Sequence, residues 1–230
     1  MFKKSKGYDP NKLLSAQKLI NAEVSQAIRK EQGTVDAGSR NCANYIFQKN
    51  KNQALTVGKK MLEAKAKVDA GNEFLKYVAK LKDNAEIIAK NQMTPEAENI
   101  VVALCCGADY FKTDGLKTFK TSQMKEIFKT KASDYMKPEK LPEPLKTLFS
   151  PPGTSEADIV AVIRTCSTPF MRDPSMIDAM FGPPPAAPST ATPVLEAATV
   201  SKYTEHVNLF TFTDVNIIPR ERWNIILSAI

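Results

Sequence analysis

The chain has 230 residues, 43% of them apolar, and its 32 Lys and Arg against 25 Asp and Glu give a formal net charge of +7. That is an ordinary globular composition, sufficient for one large domain or a domain with a tail. With a single histidine, His206, a histidine-based triad or a histidine zinc centre would have to be built from that one residue, and the four cysteines, Cys105 and Cys106 adjacent and Cys42 and Cys166 far apart, give no C-x-x-C metal spacing and no dense disulfide framework. Neither G-x-x-x-x-G-K-[ST] nor G-x-G-x-x-G occurs. These absences argue against many enzymes, and no cofactor and no metal are expected. No apolar run approaches the roughly 18 residues of a membrane span, and MFKKSKGYDP carries no apolar segment after its lysines. A cytoplasmic location is expected, and the cysteine usage fits a reducing compartment.

Taken in chain order, the first feature is the absence of proline between Pro10 and Pro95. Proline costs about 3 kcal/mol inside a helix, so this stretch is open to very long helices. Leu13, Ile20, Val24, Ile28, Val35, Cys42 and Ile46 recur at helical intervals, which predicts a helix from about Asn11 to Gln48. A polar break from Lys49 to Asn52 precedes a second series: Leu55, Met61 or Leu62, Val68, Leu75, Val78, Leu81, Ala85 and Ile88. Two such helices joined by a short break form an antiparallel hairpin. Gly58 and Gly71 fall on or near the apolar stripe, where close backbone approach offsets the helix penalty of glycine. Tyr45 and Phe47 lie near the predicted tip, as a membrane wedge or as packing for the second helix.

Thr94-Pro95-Glu96 reads as an N-cap with proline at the first helical position, opening an apolar helix with Ile100, Val101, Leu104 and Ala108. Asp114-Gly115 then breaks the chain before a lysine-rich amphipathic helix carrying Leu116, Phe119, Met124, Ile127 and Phe128. Short helices are expected at Glu143 to Phe149 and at Ser155 to Cys166, the latter opened by a serine cap and acidic residues. The fold class is thus all-α: a long antiparallel hairpin with shorter helices packed on it, then a Pro-rich tail. Residues 1–170 are expected to form the helical domain, 171–200 a Pro/Ala/Thr-rich linker, and 201–230 an apolar C-terminal segment. In that last segment Trp223, Ile226, Leu227 and Ile230 have helical spacing. An apolar segment after such a linker either binds a partner or docks on its own core.

Charge is segregated along the chain. Residues 1–90 hold 18 basic and 9 acidic side chains, 91–150 hold 9 and 8, and 151–230 hold 5 and 8. The basic excess falls on the hairpin, where Lys3, Lys4, Lys6, Lys12, Lys18, Arg29, Lys30, Arg40, Lys59, Lys60, Lys65 and Lys67 form a candidate basic face. Its partners would be an anionic membrane, an acidic protein face or nucleic acid. Nucleic acid is disfavoured: lysine far outnumbers arginine, and no zinc finger, RNP motif or helix-turn-helix is recognisable. A basic helical nucleic-acid-binding protein stands as the alternative reading.

The order of these parts resembles the ESCRT-III-related family named for increased sodium tolerance. ALCCGADYF, from Ala103 to Phe111, followed by Leu116, Phe119, Gln123-Met124 and Phe128, is similar to the family's third and fourth helices. LKTLFSPPGTSEADIVAVIRTCSTPF, from Leu145 to Phe170, is similar to its closing helices and exit. Asp114-Gly115-Leu116 stands where a Pro-Glu-Leu-like turn is common, so the resemblance is to a divergent member.

The resemblance implies a non-enzymatic subunit that polymerises with itself or with ESCRT-III co-subunits on anionic membranes. It further implies recruitment or regulation of the vacuolar-sorting AAA ATPase, through that enzyme's microtubule-interacting-and-trafficking domain, in endosomal or multivesicular-body sorting or scission. The location implied is cytoplasmic, peripheral on endosomal membranes. Candidate partner-binding tail residues are Met176 and Met180, spaced helically after Asp173, together with Trp223, Ile226, Leu227 and Ile230. Leu141-Pro142-Glu143-Pro144-Leu145 is similar to the family's Pro-rich motif type, although it falls inside the domain.

Overall fold

The computed structural model describes residues 7–151 and 153–184, which belong to one compact unit, Met1–Pro185. Every regular element among them is helical. α1 (Pro10–Phe47) and α2 (Lys51–Ala89) form the predicted hairpin. Asp9 caps α1 by accepting from the Asn11 N–H at 2.9 Å, with Pro10 preorganised in the first turn. Asn50 caps α2 by accepting from the Gln53 N–H at 3.2 Å.

The hairpin tip is built by a Schellman turn. The Asn50 N–H donates to the Tyr45 carbonyl at 2.8 Å and the Lys49 N–H to the Ile46 carbonyl at 3.0 Å. Lys49 therefore occupies the left-handed region at φ 55°. The same device ends α2, where Asn91 has φ 55° and Gln92 donates to the Ile87 carbonyl at 2.9 Å.

The two helices follow different periods. On α1, Leu13, Val24, Val35 and Ile46 are buried at intervals of eleven, about three turns, so the buried face drifts only about 20° per repeat. On α2, Gly71, Val78 and Ala85, and likewise Phe74, Leu81 and Ile88, are buried at intervals of seven, which rotates the apolar stripe about 20° the other way per repeat. Small residues let the helices approach at mid-length: a Cβ at Gly71 would meet Ile28 Cγ1 at 2.5 Å.

Two apolar clusters hold the shorter helices. At the open end, α3 (Pro95–Phe111) is buried nearly all round, and Ile100, Val101, Val102 and Leu104 are fully enclosed. Thr94 caps it, accepting from the Ala97 N–H at 3.2 Å. The expected fourth helix is a continuous helical run made of α4 (Asp114–Thr118), a π-helical turn (Phe119–Gln123) and α5 (Met124–Phe128). Five residues separate Phe119 from Met124, which an α-helix would rotate by about 140°. The π turn takes up the extra residue, so both side chains are fully buried in one cluster. Leu141 and Leu145 bury in the same cluster, the latter on α6 (Glu143–Phe149).

At the tip, α7 (Glu156–Ser167) lies across both hairpin helices, with Ile159, Val162 and Ile163 packed against Cys42, Ile46, Ala54 and Met61. Ser155 caps it, accepting from the Asp158 N–H at 3.2 Å. Packing continues beyond residue 170: α8 (Ser175–Phe181) buries Ile177 in the tip cluster, and the Arg164 guanidinium bonds the Asp178 carboxylate and the Gly182 carbonyl. The first 14 residues of the expected linker are thus within the described structure. The remainder of the linker and the segment 201–230 lie outside the described residues.

Candidate functional site

The outward face of α1 is the surface that the charge distribution points to. Lys18, Arg29 and Arg40 are exposed and follow the same interval of eleven as the buried series. They therefore fall within an arc of about 40°, roughly 16 Å apart along the axis, opposite the side that packs on α2. None of the three forms an ion pair with a described residue. Asp36 shares this face and its carboxylate accepts from Gln32 Nε2 at 2.8 Å. Lys30, exposed beside Arg29, widens the face on one flank.

Other members of the predicted basic face are engaged within the fold. Lys12 pairs with Glu126 at 3.4 Å, Lys65 with Asp69 at 2.9 Å, and Lys67 with Glu31 on α1 at 3.1 Å. Exposed pairs of this kind contribute little stability, but their local charge is offset. Lys59 and Lys60 are exposed without such a partner among the described residues, on α2 and not on the α1 stripe. Lys3, Lys4 and Lys6 lie outside the described residues, as do Trp223, Ile226, Leu227 and Ile230.

The α1 stripe ends at an exposed aromatic. Phe47, the last residue of α1, falls within the same arc as Lys18, Arg29 and Arg40 and is 75% exposed, whereas Tyr45 is half-buried on the tip cluster. Phe170, 47% exposed, stands beneath the Arg40 guanidinium at 5.6 Å from ring centroid to Cζ. Phe47 and Phe170 line one cleft of about 360 Å³ with Met171, Arg172 and Met176. A neighbouring hollow of about 420 Å³ is lined by Ile46, Lys49, Met176 and Met180. Met176 and Met180 are thus half-buried on α8 against the hairpin tip, not carried on an extended tail.

Leu141 and Leu145 of the Pro-containing segment are 6% and 0% exposed, so both leucines belong to the core. Phe170, Lys49 and Arg172 join one tip surface only through the docking of α7 and α8, so no local sequence pattern marks them as a group. The spacing of Lys18, Arg29, Arg40 and Phe47 was available in the sequence as intervals of eleven, eleven and seven.

No cysteine lines either of these two hollows. Burial pushes the Cys42 thiol up to about 11 and the Cys105 thiol up to about 12. Among the described residues, no three His, Cys, Asp or Glu side chains gather as a metal-binding group, and no helix is long and apolar enough to cross a membrane. No protein-family model, curated protein or solved structure matches this chain.

Proposed function

We propose that this chain is an ESCRT-III-related membrane-remodelling subunit. It assembles on anionic membranes, alone or with co-subunits, and recruits or regulates the vacuolar-sorting AAA ATPase in endosomal sorting or scission. In this reading it is not an enzyme, and it works at the cytoplasmic face of endosomal membranes. The observation that carries the proposal is the α1 stripe of Lys18, Arg29 and Arg40, outward-facing and without ion pairs among the described residues, along one side of a long hairpin. Each basic residue close to an anionic bilayer contributes about 1 kcal/mol of attraction, so a linear row on a rod favours lying flat on the surface. The all-helical hairpin with its third helix buried and a helix across its tip is compatible with the resemblance noted from the sequence.

The test is co-sedimentation of the full chain with phosphatidylserine-containing and with neutral vesicles across a salt series, with electron microscopy of the pellets. Salt-sensitive binding to the anionic vesicles, with filaments or tubules, supports the reading. Binding to RNA or DNA that exceeds binding to anionic vesicles and falls steeply with salt favours the nucleic-acid alternative instead. Deleting residues 183–230 is expected to abolish ATPase binding and leave vesicle binding intact.

A further inference from the structure

We propose that the hairpin tip is a membrane-inserting foot in which Phe47 and Phe170 enter the interfacial region of an anionic bilayer while Arg40, Lys49 and Arg172 meet lipid phosphates; this rests on the membrane reading above. Three observations combine. Phe47 and Phe170 are large aromatics left 75% and 47% exposed, whereas the other large apolar side chains among the described residues, apart from Leu19, are buried or half-buried. They line the same cleft, so they form a patch and not two scattered residues. Cations ring that patch: Arg40 over the Phe170 ring, Arg172 in the cleft wall, and Lys49 beside the adjoining hollow.

Charge complementarity selects the occupant. Aromatic rings at the level of lipid headgroups, with basic side chains reaching the phosphates around them, are the composition of an interfacial anchor. Asp173 is the one carboxylate lining the cleft, and its Oδ1 is turned to Ser175, accepting from the backbone N–H at 3.0 Å and from the hydroxyl at 2.6 Å. Because Phe47 lies on the same helical arc as Lys18, Arg29 and Arg40, one orientation of the rod brings the basic stripe to the membrane surface and drives the tip into it. The stripe supplies long-range, salt-sensitive attraction, and the foot supplies short-range apolar burial that salt does not screen.

The experiment uses the full chain with Trp223→Phe as background and Phe47→Trp as the reporter, with vesicles of phosphatidylserine and phosphatidylcholine against phosphatidylcholine alone. The expected result is a blue-shifted emission from position 47, quenched by lipids brominated near the headgroup, on anionic vesicles only. In the otherwise native chain, Phe47→Ser with Phe170→Ser is expected to weaken anionic-vesicle binding by about tenfold while leaving the salt dependence in place. Unchanged thermal melting of the double variant establishes that the loss is local.

The inference is overturned, with the membrane reading intact, if the wild type binds anionic vesicles in a salt-sensitive way, the emission stays that of a water-exposed indole, and the serine variant binds as tightly as wild type. A blue shift that grows with protein concentration in the absence of vesicles also overturns it, making the tip a contact between proteins. Failure of the wild type to bind any vesicle overturns both readings together.

Discussion

Ile163 on α7 rests directly on Gly58 of α2: a Cβ added at Gly58 would lie 2.6 Å from Ile163 Cδ1 and 2.8 Å from Ile159 Cγ2. The glycine that weakens α2 as an isolated helix is therefore the seat on which α7 docks. Gly58→Leu is expected to displace α7 from the tip while the open-end cluster, built from other residues, stays closed. Amide hydrogen exchange should show faster exchange across Glu156–Ser167 and unchanged protection across Pro95–Phe111. By contrast Leu104→Ala, at a fully buried position of α3, is expected to cost the whole unit about 2–5 kcal/mol in chemical denaturation.

Lys49 occupies a left-handed backbone position that glycine fills without steric cost. Lys49→Gly is expected to stabilise the fold by about 1 kcal/mol, a rise of a few degrees in melting temperature. Because it also removes a cation from the tip, the same variant should bind anionic vesicles about fivefold less well. Stability and binding thus move in opposite directions.

The four thiols form a graded series. Cys42 and Cys105 are fully buried and their thiols are pushed up to about 11 and about 12, while half-exposed Cys106 and Cys166 are raised chiefly by burial too. Alkylation of the native protein near pH 8 should label Cys166 and Cys106 first, and Cys42 and Cys105 only on unfolding. A thiol raised in the folded state ionises more readily in the unfolded chain. Its contribution to stability is therefore complete below about pH 8.5 and is lost as pH rises from there toward the folded values of about 11 and 12. Denaturation midpoints in that alkaline range should fall, and should fall less in a Cys42→Ala, Cys105→Ala variant.

Much of the helical layout was legible because local chemistry marks it. The proline gap, the Thr94-Pro95 start and the Ser155 cap lie within a residue or two of the observed elements. The π turn was not legible, since nothing at Phe119–Gln123 distinguishes it locally and only the demand that Phe119 and Met124 share one core produces it. Of the expected α2 stripe, Leu75 is half-buried against the open-end cluster, while its neighbour Phe74 is the fully buried one. The tip surface depended on tertiary docking: Phe170 and Arg172 are distant in sequence from Phe47 and are brought to it by α7 and α8.

Substitution of the three stripe cations, Lys18, Arg29 and Arg40, by alanine tests the central claim most directly, because all three are exposed and their loss should leave the fold intact. Binding of the full chain to phosphatidylserine-containing vesicles would be measured against salt for wild type and triple variant. At about 1 kcal/mol per cation, the account predicts a loss of roughly a hundredfold at low salt and a shallower salt dependence. A triple variant that binds as tightly as wild type, with the same salt slope, would contradict it.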